Sequence, residues 1–80
     1  MAMTTVYCPL PGTFYRRPSP DKPPFKEVGD AVTPGDAIGL VEVMKSFIAI
    51  EAETAGKIVT FHVDNEEPVM AGQPLYDLET

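Results

Sequence analysis

The sequence predicts an all-β fold: a flattened barrel or sandwich of two four-stranded antiparallel sheets with pseudo-two-fold symmetry. Three observations predict it. Nine prolines and six glycines in 80 residues are spread between short apolar runs, which favours many turns and short strands over long helices. Inside several runs apolar residues alternate with polar ones, the period of a strand with one buried face. The two halves of the chain also resemble each other, block by block and in the same order. At this length a single domain, residues 1–80, is the ceiling.

Residues 4–8 read as the first strand, with Val6 and Cys8 on one face. Pro9 and Pro11 interrupt it, because proline cannot donate to a sheet ladder. Residues 12–16 form a second short strand carrying Phe14 and Tyr15. Then comes Arg17-Pro18-Ser19-Pro20-Asp21-Lys22-Pro23-Pro24, whose four prolines forbid helix and favour a stiff, extended excursion. Phe25 is its expected apolar anchor. Turn chemistry at 28–30 and 33–36 flanks a very short strand at Ala31–Val32. Pro34-Gly35 suits the centre of a type II turn, where glycine takes the positive φ. Residues 37–42 form a strand with Ile38 and Leu40 inward. Residues 47–52 form another, with Ile48 and Ile50 on one face and Glu51 and Glu53 on the other. A helix over 37–52 is the rival reading, since no proline interrupts it; Gly39 and the β-branched alternation favour strands. Residues 56–63 are the longest strand candidate, with Val59, Phe61 and Val63 in register. Residues 64–67 read as an acidic turn, 71–73 as another turn, and 74–79 as the closing strand.

The formal net charge of −6 repels phosphate backbones, so no nucleic-acid partner is expected. No apolar run approaches membrane-spanning length and no signal-peptide pattern opens the chain, so no membrane partner is expected either. The default location is the cytoplasm, which the lone Cys8 fits. Cys8 has no Cys or His near it in sequence and reads as a small packed side chain. Arg16, Arg17, Lys22 and Lys26 lie close together, either as a solvated loop or as a local docking patch. His62, the only histidine, reads as a solvent-facing strand residue. Zinc spacing, phosphate loop and serine elbow are all missing, so an independent enzyme is the least supported function.

The repeat singles out one residue. The block 32–38 matches 69–75, the same register carries Val41-Glu42 onto Leu78-Glu79, and 10–14 resembles 54–58. A unit of that size cannot bury its own apolar face, so the two copies are expected to pack on each other. The first copy ends at Glu42 and the second begins near Phe47. Val43-Met44-Lys45-Ser46 is therefore a tight connection between halves, and it holds Lys45 at an accessible hairpin tip. A modifying enzyme needs such a fixed shape to read, and a tethered group needs the reach.

The segment Glu42-Val43-Met44-Lys45-Ser46-Phe47 closely resembles a biotin attachment site, usually written E-A-M-K-M. Pro11-Gly12-Thr13-Phe14-Tyr15, then Pro18-Ser19-Pro20-Asp21, then Glu27-Val28-Gly29 resemble the biotinyl domain of the acetyl-CoA carboxylase biotin carboxyl carrier family. The resemblance covers nearly the whole chain. It implies biotin as the covalent cofactor on Lys45, with Glu42, Val43, Met44 and Ser46 as the recognition turn. It implies a protruding thumb at about residues 17–25, with Ser19, Pro20, Asp21 and Lys22 beside the cofactor. It also implies three partners: a biotin-protein ligase, a biotin carboxylase and a carboxyltransferase, in fatty acid synthesis. Val43 stands where the family often has alanine, and Ser46 where methionine is common.

The chemistry agrees. A lysine amine forms a stable amide with a carboxylic acid, which removes its charge and makes a long flexible arm. The protein then supplies delivery and the cofactor supplies reactivity, with tethering raising local concentration. Met44 offers a soft contact that adapts to several surfaces. The alternatives are a carrier for another biotin-dependent carboxylase, a lipoyl domain (whose lysine typically sits in D-K-A), and an unmodified module that docks partners through the thumb.

Overall fold

Alternation in the sequence becomes strand pairing in the structure. The computed structural model describes residues 2–80. They form β1 Met3–Tyr7, β2 Gly12–Tyr15, β3 Ala31–Val32, β4 Ala37–Val43, β5 Ser46–Glu51, β6 Gly56–Phe61, β7 Glu67–Val69 and β8 Pro74–Glu79. No helix among the described residues is long and apolar enough to cross a membrane. One sheet has the order β1-β8-β6-β3 and the other β5-β4-β2-β7, and every pairing is antiparallel. The result is a flattened sandwich of 38 × 28 × 20 Å.

The pseudo-symmetry is complete at the level of topology. Replacing β1, β8, β6 and β3 by β5, β4, β2 and β7 turns the first sheet order into the second. The halves do not stack as separate blocks, however; each sheet takes strands from both. The symmetry reaches individual hydrogen bonds. Gly35 N donates to Ala52 O at 2.8 Å, and Gly72 N to Cys8 O at 2.8 Å. Thr33 N donates to Asp36 Oδ2 at 2.9 Å, as Met70 N does to Gln73 Oε1 at 3.0 Å. Gly35 and Gly72 hold φ of 95° and 85°, left-handed values that glycine adopts without steric cost.

The core repeats as well. Val32 and Val69, Ile38 and Leu75, Val41 and Leu78, and Phe14 and Ile58 are equivalent pairs, and all eight are buried. One pair breaks the rule in a compensating way. Gly39 leaves room for Phe14, whose ring would lie 2.6 Å from an added Cβ. In the other half Tyr76 stands at the position of Gly39, and the smaller Ile58 at that of Phe14.

Several expectations need correction. Ile48 shares a face with Ile50 but is 41% exposed, because it lies in the exposed, turn-proximal part of edge strand β5. Val59 is 39% exposed. The β6–β8 register shifts between Ile58 and Thr60, so Val59 is an extra residue in a bulge and Ile58 takes the inward place. β6 stops at Phe61, which leaves His62 beyond it and exposed. Glu53 lies past the end of β5 and shares no strand face with Glu51. Residues 67–69 belong to a strand that Pro68 disguised; β7 is an edge strand, where proline is tolerated.

Candidate functional site

The β4–β5 hairpin closes with Val43 paired to Ser46, so only Met44 and Lys45 form the loop. Their φ values are 48° and 68°. Two left-handed residues in a two-residue loop make a type I′ turn, whose twist matches that of the strands. Glycine and asparagine normally fill it. Here two long side chains do, at about 1–2 kcal/mol each, the kind of local strain found at functional positions. Met44 is 93% exposed and Lys45 is exposed. The ion pairs among the described residues are Lys26–Asp36 at 3.6 Å and His62–Asp77 at 3.0 Å. Neither engages Lys45.

One rung below the closing pair, Glu42 faces Phe47 across the hairpin. The Tyr15 hydroxyl donates to Glu42 Oε1 at 3.0 Å, and the Tyr15 and Phe47 rings lie tilted, 6.0 Å apart. That bond to Glu42, followed by burial and by the charges of Glu42 and Glu66, raises the Tyr15 pKa. The phenol therefore stays protonated and keeps Glu42 in place.

The proline-rich excursion leaves β2 and returns beside it: Phe25 N donates to Arg16 O at 2.9 Å and closes its base. Its tip is a turn in which Lys22 N donates to Ser19 O at 3.1 Å. There Ser19 Oγ donates to Asp21 Oδ1 at 2.6 Å, which holds the Asp21 carboxyl below its ordinary value. The base is fixed by Arg16. Its N–H donates to Asn65 Oδ1 at 2.8 Å, its Nη2 donates to Lys26 O at 3.3 Å, and its guanidinium lies 4.1 Å from the Phe61 ring centroid. With Arg16 stacked and Lys26 paired to Asp36, the four basic residues do not form one free patch.

Between this projection and the hairpin lies a groove of about 390 Å³, lined by Tyr15, Arg17, Pro18, Ser19, Pro20, Glu42, Phe47, Asn65 and Glu66. It brings three expected site residues together: Glu42, Ser19 and Pro20. Val43, Met44, Lys45 and Ser46 form the neighbouring apex instead, and Asp21 and Lys22 sit exposed at the tip. Tyr15, Phe47, Asn65 and Glu66 were not singled out from the sequence as site residues. One signal was available. Extending the repeat upstream aligns Glu66 with Gly29, and both have positive φ, 64° and 96°. A charged residue where the other half uses glycine is the one departure from the repeat that points to the groove. A second groove of about 590 Å³ runs between β1 and β5 and has Glu51 and Glu53 in its lining; it lies away from the Lys45 turn.

A two-sheet sandwich that offers an unpaired primary amine on a strained two-residue turn has the build of a covalent carrier domain. Residues 4–78 match the biotin/lipoyl family model, described as "Biotin-requiring enzyme", and the chain belongs to that family. It is 45% identical over 73 residues to the biotin carboxyl carrier protein of acetyl-CoA carboxylase of Pseudomonas aeruginosa, covering 91% of this chain and 47% of that one. It is 41% identical over 73 residues to the Nostoc protein of the same name, covering 91% and 40%. It is 40% identical over 75 residues to chloroplastic protein 1 of that name from Arabidopsis thaliana, covering 94% and 27%. The chain thus spans less than half the length of these relatives. Among solved structures it superposes on Kluyveromyces lactis urea carboxylase with a TM-score of 0.80 at 25% identity, over 99% of this chain and 6% of that one.

Proposed function

We propose that the chain is a biotin carboxyl carrier domain. Biotin, joined as an amide to Lys45 Nζ, carries carboxylate from a biotin carboxylase to a carboxyltransferase, in acetyl-CoA carboxylase and hence in fatty acid synthesis. The domain itself is non-catalytic and acts in the cytoplasm; the family's chloroplastic relatives use a different compartment. One observation carries the reading: Lys45 stands exposed, without an ion pair among the described residues, at the apex of a turn whose backbone is fixed on both sides by paired strands. An acylating ligase needs that amine reachable and its flanks reproducible.

The residues fit the group. Biotin supplies a ring nitrogen that accepts and surrenders carboxylate; the chain supplies geometry. Met44, Phe47 and Ile48 expose apolar surface around the turn, which suits successive docking to the ligase and both partner enzymes. Tyr15 steadies Glu42 below the apex. Ser19 and Pro20 form the far wall of the groove, which would bring the thumb beside a prosthetic group on Lys45.

The test is intact mass after co-expression with a biotin-protein ligase. The wild-type chain gains one biotinyl group, and Lys45→Arg gains none. An unchanged wild-type mass with active ligase refutes the reading, and a lipoyl increment at Lys45 reassigns it. Turnover with acetyl-CoA and other carboxyltransferases identifies which carboxylase the carrier serves.

A further inference from the structure

We infer that Arg17 binds the carboxylate that the arm on Lys45 carries, an inference that rests on the reading of Lys45 just proposed. Arg16 and Arg17 are adjacent in sequence but have opposite fates. Each has a buried Nε without a hydrogen-bond partner among the described residues. Arg16 nevertheless spends its guanidinium on the fold, stacked on Phe61 and bonded to Lys26 O. Arg17 has no such role. It lines the groove beside the hairpin, and no ion pair among the described residues includes it. Its Nε is enclosed by the protein, while its terminal nitrogens are neither enclosed nor bonded among the described residues; they are the donors that a group in the groove can meet.

Position and chemistry together select the ligand. The groove starts at the Glu42–Phe47 rung, adjacent to the pair that closes the Lys45 turn, so a long arm on Lys45 can fold back into it. The guanidinium fork matches a planar carboxylate in two parallel hydrogen bonds, whereas an uncharged ring offers no anion. Glu42 and Glu66 line the same groove. Without Arg17 these side chains would repel a carboxylated arm. With it, one cation stands against two resident anions, which makes for a weak and reversible grip. A carrier must give its cargo up, so weak retention suits the task.

The experiment uses the whole protein, biotinylated and checked by intact mass, then carboxylated with a biotin carboxylase, ATP and isotopically labelled bicarbonate. Proton–nitrogen spectra follow the Arg17 Nε–H resonance, assigned by its loss in Arg17→Lys. The resonance is expected to stay in place on biotinylation, shift on carboxylation, and return as the label is lost. The Ser19 and Lys22 amides should shift with it in the wild type but not in Arg17→Gln, while strand resonances show that the variant is folded. A shift already complete on biotinylation would assign Arg17 to the uncharged ring and overturn the inference. So would a silent Arg17 in both states. Failure of Lys45 to gain mass is seen before any spectrum and removes the proposed function along with this inference. A loaded, carboxylated chain with a silent Arg17 removes only the inference.

Discussion

Tyr76 is the core residue most open to a decisive substitution. It is 0% exposed, yet its hydroxyl meets no hydrogen-bond partner among the described residues. Burial, with a smaller contribution from the charge of Glu53, raises its pKa, so the phenol is neutral throughout the physiological range. A buried, unpaired hydroxyl costs about 1–3 kcal/mol. Tyr76→Phe deletes that hydroxyl and keeps the ring, whose centroid lies 6.0 Å from that of Phe61. The variant should therefore be more stable by about 1–2 kcal/mol. In a domain of this size that raises Tm by about 5–15 °C. Circular-dichroism melts and urea titrations measure it, with an unchanged urea slope showing that the effect is on stability alone. A lower Tm would refute the reasoning, because it would mean that the hydroxyl has a partner, such as an enclosed water.

Other outcomes follow from the same geometry. Gly39→Ala places a Cβ 2.6 Å from the Phe14 ring and 2.8 Å from Tyr15 O; overpacking of this kind costs about 1–3 kcal/mol, measurable by urea denaturation. Met44→Gly relieves one left-handed side chain at the price of backbone entropy, for a net gain of about 0.5–1 kcal/mol. The same variant should be biotinylated more slowly, which separates turn stability from ligase recognition in a timed mass assay. Asp77 is held below its ordinary value of 3.8 by hydrogen bonds from His62 first and Thr5 second. A carboxyl depressed by folding adds stability above its unfolded pKa and loses it as pH falls through the folded one. Asp77→Asn should therefore lower stability at neutral pH and flatten its decline below about pH 4, as read from melts across an acid series.

Residues with a local reason to be where they are were legible in the sequence. Pro34-Gly35 announced its turn, and Gly35 has the positive φ that the turn requires. The repeat placed Lys45 between the halves, and the hairpin closes around it as Val43–Ser46. What escaped depends on contacts remote in sequence. The bulge at Val59 is decided by the register between β6 and β8, so period-two counting along one strand put the wrong residue inside. β7 has one buried apolar residue, Val69, too little to signal a strand. The groove joins β2, the thumb, the hairpin and the residues before β7, and no single stretch of sequence contains it.

The symmetric frame explains why the thumb can be there at all. Its counterpart in the second half is the short connection from β6 to β7, residues 62–66. Within that connection Glu66 N donates to Phe14 O at 2.7 Å, the equivalent of Gly29 N to Ile58 O at 2.8 Å. The frame is thus already complete at both ends before the extra residues of the thumb are counted. The thumb's ends meet through Phe25 N and Arg16 O, so lengthening the loop adds only a slowly growing entropic cost and leaves the core undisturbed. Its base is fixed to the opposite half by Arg16 N and Asn65 Oδ1. The projection therefore becomes a wall facing the hairpin rather than a free strand. Symmetry builds the two equivalent sheets, and the copies differ in three places: a long loop against a short one, Glu66 against Gly29, and a lysine on the turn that joins the halves.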